Sequence, residues 1–111
     1  PNHRVITTDP IQTIDMLLSS RGVKDYHMDF YTLLLLENEQ ITPANRGWHF
    51  LVSGELPNGL EIISETHALK VGTTAPATLQ EFTGQMLVKL PEGAVLDRLD
   101  FIRIIPKSSV A

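Results

Sequence analysis

The residues of this chain whose types and spacing could do chemistry gather in two places: His49 and His67 with Glu65 beside the second, and the D-x-H-x-D run Asp25, His27 and Asp29. Two imidazoles facing each other across a strand pair sit about 5 Å apart and can share a divalent ion. His49 and His67 meet this condition if residues 47–56 (GWHFLVSGEL) and 60–69 (LEIISETHAL) form a hairpin around Pro57-Asn58-Gly59. A two-residue loop would place Val52 opposite Glu65 and bury a charge. A three-residue loop with Gly59 in the left-handed conformation instead pairs Leu56 with Leu60, Gly54 with Ile62 and Phe50 with Thr66, and this register is predicted. It sets His49 against His67, and Glu55 against Glu61, on the outer face. Of the diagonal neighbours Leu51 and Glu65, only Glu65 can serve as a third ligand, so His49, His67 and Glu65 form the candidate metal set. The competing account is two solvated surface histidines.

On a strand, Asp25, His27 and Asp29 project to one side, and their chemistry suits a divalent ion. Alternate strand residues lie about 6.6 Å apart, however, which is wide for chelation and favours a plain outer face. Glu55 and Glu61, paired as above, would approach the roughly 5 Å carboxyl separation of retaining glycosidases. They flank a tight turn with no cleft or aromatic platform, so they read as rim charges. Pro1 offers a secondary amine of the kind tautomerases use as a base. That family opens with a strand at residue 2, whereas Asn2-His3-Arg4 is expected here to lead directly to a helix. No serine stands in a G-x-S-x-G setting, and Gly72 opens no phosphate-binding loop.

The chain contains no cysteine, which excludes disulfides, thiolate nucleophiles and Cys-ligated clusters. Nine Lys and Arg against thirteen Asp and Glu give a net charge of −4, and the basic residues stand singly, so a nucleic-acid partner is not expected. No cofactor is expected either. The longest apolar run, Leu33 to Leu36, falls far short of the roughly 20 residues that span a bilayer, so any membrane attachment is expected to come from a segment outside the chain.

The elements that must position these residues follow from periodicity. With 111 residues, a hydrophobic fraction of 42% and a charged fraction of 20%, one domain with its own core is expected. A helix is predicted over about 10–21: Asp9 caps it, Pro10 suits its first position, and Gln12 completes a capping-box pattern. Ile11, Ile14, Leu17 and Leu18 form its apolar stripe, and Gly22 ends it. Beyond Gly22 the period becomes two. Strands are predicted over about 25–37, 47–56, 60–69, 79–90 and 95–105, the last pairing with the one before it. Trp48, Phe50, Val52 and Leu56 are placed on one inner face, and Trp48, Phe50, Phe82 and Phe101 are expected to anchor the core. The architecture is mainly β, an antiparallel sandwich of about five or more strands with one N-terminal helix on an open edge or face.

From Tyr26 to Pro106 the chain resembles the C-terminal β-domain of an uncharacterised group of proteobacterial inner-membrane proteins that carry one membrane span and a coiled coil. The resemblance rests on FYTLLLLE, VSGEL, FTGQMLVKLPEG and a last strand closing in IRIIP. An arginine-tyrosine-phenylalanine string of that group is replaced here by Gln80-Glu81-Phe82. The resemblance implies a periplasmic, non-catalytic domain of a longer chain and assigns no functional residue. Together these readings lead to a binding or assembly module that meets a protein partner or itself. The Leu33–Leu36 run is apolar on both faces of its strand, so Leu33 and Leu35 are the expected contact residues. The alternative is a metal-binding protein or metal-dependent enzyme built on the outer His, Asp and Glu face.

Overall fold

The computed structural model of the chain describes residues 2–34, 39–41, 47–94 and 98–107. Its one helix, α1 (Pro10–Ser20), begins and ends close to the predicted limits, but its start is built differently. Asp9 adopts the left-handed conformation (φ 50°) and its side chain makes no capping bond. Its carbonyl instead accepts from the Thr13 amide and hydroxyl, both at 3.0 Å. The end is a Schellman closure: Val23 N–H donates to Leu18 O (2.9 Å), Gly22 N–H to Ser19 O (3.0 Å), and Gly22 sits at φ +79°. Ile14 and Leu18 are buried and Leu17 is partly so, while Ile11 faces solvent, narrowing the expected stripe.

Nine strands surround α1 among the described residues: β1 (Asn2–Ile6), β2 (Tyr26–Leu34), β3 (Glu39–Ile41), β4 (Trp48–Pro57), β5 (Glu61–Ile63), β6 (Ala68–Lys70), β7 (Gln80–Thr83), β8 (Leu87–Lys89) and β9 (Arg98–Pro106). They form two antiparallel sheets. One runs β1-β4-β9-β2, with β7 also on β4; the other runs β3-β8-β5-β6. The antiparallel two-sheet architecture is the expected one, with more and shorter strands. Residues 60–69 split into β5 and the start of β6 around a Ser64–His67 turn, and residues 79–90 divide between the two sheets. β9 lies between β4 and β2 rather than beside its predecessor.

The predicted hairpin at Pro57-Asn58-Gly59 does not form. The chain turns there, with Leu60 N–H donating to Pro57 O at 3.1 Å, but it passes from the first sheet into the second. β4 pairs with β1, β7 and β9, and β5 with β6 and β8, so the predicted β4–β5 register is absent. The physical reason is that β4 is buried on both faces. Phe50 and Val52 pack with Ile14, Leu18, Ile102 and Ile104 under α1. Leu51 and Leu56 pack with Leu60, Ile62, Phe82, Val88, Leu99 and Phe101 between the sheets. A bulge makes the switch. Leu51 pairs with Phe101 and Ser53 with Asp100, leaving Val52 extra, so Leu56 faces away from the helix and not with Phe50 as alternation suggested. Phe50, Phe82 and Phe101 are buried as expected; Trp48 is half-buried, with the Arg21 guanidinium 5.5 Å from its ring centre.

Gly47 fixes the entry to β4. It has φ +107°, and a Cβ there would lie 1.9 Å from the Ile104 carbonyl oxygen, so only glycine lets the strand approach β9. The unexpected β1 alternates His3 and Val5 inward with Arg4 and Ile6 outward, a signal five residues long. Its presence removes the argument that the chain has no opening strand, but β2 runs opposite to β1 with β4 and β9 between them, so no parallel βαβ unit results. Pro1 lies outside the described residues.

Candidate functional site

His49, expected on an outer face, is 1% exposed because the face of β4 opposite α1 is covered by the second sheet. Across the ladder it lies beside Arg103 of β9, which in turn lies beside Asp29 of β2. Arg103 donates to the Asp29 carboxylate at 2.7 Å. The Tyr31 hydroxyl and His49 Nδ1 share a hydrogen bond of 2.6 Å. Burial pushes the Tyr31 phenol far above its ordinary range, only partly opposed by Arg103, so it holds its proton. His49 Nε2 is buried with no hydrogen-bond partner, as is Arg103 Nε. Desolvation first, and Arg103 second, hold His49 below the ordinary imidazole range, so the ring is neutral. The cluster is closed by rings: Tyr31 stacks on Phe101 (centroids 5.3 Å) and meets His49 edge-on (5.7 Å).

The other candidate ligands are engaged separately. His67 lies in the turn before β6, where its Nε2–H donates to Gln80 Oε1 at 2.6 Å, and Gln80 donates onward to Thr78 O. Glu65 is exposed and lies against Gly84, where a Cβ would come 2.7 Å from its carboxyl carbon. With β4 and β5 in different sheets, the ladder that was to join His49, His67 and Glu65 is missing. Among the described residues no group of three His, Cys, Asp or Glu could hold a metal ion. In the D-x-H-x-D run, Asp25 lies 3.4 Å from Lys107 and Asp29 is taken by Arg103. Glu55 stands beside Arg4 of β1, and Glu61 lies 3.7 Å from Lys70, so this pair too is separated.

Two open clefts accompany these groups. One, of about 350 Å³, is lined by Thr66, His67, Thr78, Leu79, Gln80 and Glu81. Among its polar groups, His67, Gln80 and Thr78 are bonded in series, Thr66 is bonded to Thr83, and Glu81 is held by Arg21 in a two-pronged contact of 2.7 and 2.8 Å. The other, of about 490 Å³, lies between the start of α1 and the start of β2. Asp9, Pro10, Ile11, Gln12, Asp15 and Tyr26 line it, and Tyr26 O–H donates to Asp15 at 2.5 Å.

Of the described strands that lie at an edge, β1, β2, β3, β6 and β7, the longest is β2. It is an edge strand of nine residues in unbroken register with β9, and no other described strand pairs with its outer side. Its sequence, YHMDFYTLL, contains no Lys, no Pro and no bulge, and its one carboxylate, Asp29, is paired with Arg103. On the helix side, Tyr26 and Met28 are packed beneath α1, but Phe30 and Leu34 are 62% and 57% exposed. Leu33, expected at a contact, is 5% exposed in the core between the sheets, because the second sheet covers its face. Leu35 lies outside the described residues. The exposed apolar side chains of this strand are thus Phe30 and Leu34, which strand alternation places on the face that α1 only half covers.

No protein-family model matches the chain, and no curated protein or solved structure is significantly similar to it.

Proposed function

We propose that the chain is a non-catalytic β-sandwich that binds another polypeptide by strand addition to β2. The observation that carries this reading is the nine-residue edge with which no described strand pairs, bearing exposed Phe30 and Leu34. Strand addition uses the outward N–H and C=O groups of an edge for affinity and the alternate side chains for selectivity. β2 supplies both: a backbone ladder on one side and, at Phe30 and Leu34, two apolar steps about 13 Å apart along the strand. The titratable groups favour the same reading, since His49 is buried and Arg103, Asp29, His67 and Glu81 are engaged by neighbours.

Panning a displayed library of random peptides against the chain, immobilised at low density, tests this. Extended binders with micromolar Kd that slow amide exchange at outward-facing positions of β2 are expected, and Phe30→Lys with Leu34→Lys abolishes their binding. Absence of enrichment, or binders that map away from β2, overturns the reading.

A further inference from the structure

Resting on that reading, we infer that the strand added to β2 is β2 of a second copy, paired antiparallel about a two-fold axis through Phe30. The half-covered face points to this occupant. α1 shelters the Tyr26 and Met28 end of β2, while the Phe30 and Leu34 end is bare. An antiparallel neighbour reverses direction, so the sheltered end of each copy falls beside the bare end of the other. Each copy then supplies the cover that the other lacks, through one self-complementary contact.

The register rests on which side chains meet. An axis through Phe30 pairs the described residues Tyr26 to Leu34 with one another. Phe30 then meets Phe30 of the second copy, Met28 meets Thr32, and Tyr26 meets Leu34. On the opposite face Asp29 meets Tyr31 and His27 meets Leu33. No like charges are opposed, whereas a shift to an axis at Asp29 would set two carboxylates against each other. At each end, Leu34 enters the 490 Å³ cleft lined by Ile11, Asp15 and Tyr26 of the second copy. Arg98, Leu34's neighbour on β9, has a side chain 62% exposed and lies 3.1 Å from Asp100 of its own strand. It lies about two strand widths, roughly 10 Å, from the second copy's Tyr26, whose hydroxyl is bonded to Asp15. The charges there are complementary, arginine to carboxylate, and occur twice by symmetry.

Sedimentation velocity from 1 to 500 µM tests the inference. The chain is expected to pass from monomer to dimer, and Phe30→Lys is expected to stay monomeric with its thermal midpoint unchanged, because that side chain is exposed in the free chain. Arg98→Glu and Asp15→Lys each weaken the dimer tenfold or more on their own. Mixed one to one, the two variants restore it, because the introduced glutamate faces the introduced lysine at one end and Arg98 faces Asp15 at the other. A chain that is monomeric throughout, a dimer indifferent to Phe30→Lys, or a mixture that fails to associate overturns the inference. If the chain is monomeric yet selected peptides still protect β2, strand addition stands and its occupant is not a second copy. If both results are negative, both proposals fall.

Discussion

His49 shows how one side chain changes meaning with its surroundings. Along the sequence it sits among alternating residues, where the polar set would ordinarily be wet. In the fold it is a neutral imidazole in a dry interior, hydrogen-bonded to Tyr31 and facing Arg103. Asp29, Tyr31 and Arg103 are the titratable or charged groups its neighbouring strands bring to that face. Its folded pKa lies below the ordinary value of about 6.5, so between the two values the unfolded chain binds the extra proton. The stability this provides is complete above pH of about 6.5 and is lost as pH falls through the folded value. Urea unfolding should show stability level from pH 7.5 to about 6.5 and falling below it as this site takes up a proton on unfolding. His49→Phe should remove that portion of the slope, and an identical slope in the variant would assign the acid sensitivity elsewhere.

At the scale of elements, the decisive device is the bulge at Val52. By inserting one residue opposite β9 it turns Leu56 toward the second sheet while Phe50 stays under α1, so a single strand serves two cores. α1 is held by Ile14 and Leu18 from below and by Arg21 at its end, through Glu81 and the Trp48 ring. Leu18→Ala should cost about 2–5 kcal/mol in a urea melt, since it leaves a cavity at a fully buried position. Met16→Ala, on the outward side of the same helix, should stay within about 0.5 kcal/mol. Equal effects would mean that α1 does not dock through this stripe.

The whole molecule is three layers deep: helix, five-stranded sheet, four-stranded sheet. Along the chain the strands change sheet after β2, β3, β4, β6, β7 and β8, and β2 waits for β9 at the far end of the sequence. No layer can leave without exposing the central sheet, so far-UV circular dichroism and fluorescence of Trp48, the only tryptophan, should trace one coincident unfolding transition. Such distant pairings make loop closure costly before contacts form, so refolding by stopped flow should take milliseconds to seconds. Separate transitions would show that the helix layer melts independently.

What the sequence determined by itself was local: Pro10 and Gly22 bracket a helix, period-two alternation beyond it makes strands, and large side chains such as Phe50, Phe82 and Phe101 must leave water. The limits of α1 and the antiparallel β architecture were legible for that reason. Partner choice was not, because alternation says which residues share a face but not what covers it. Whether Asn58-Gly59 closes a hairpin or sends the chain across to another sheet depends on whether β4 needs a second cover, and that is set by residues far away in sequence. The same distant packing put His49 inside, separated Glu55 from Glu61, buried Leu33 and left Phe30 and Leu34 beside an open edge.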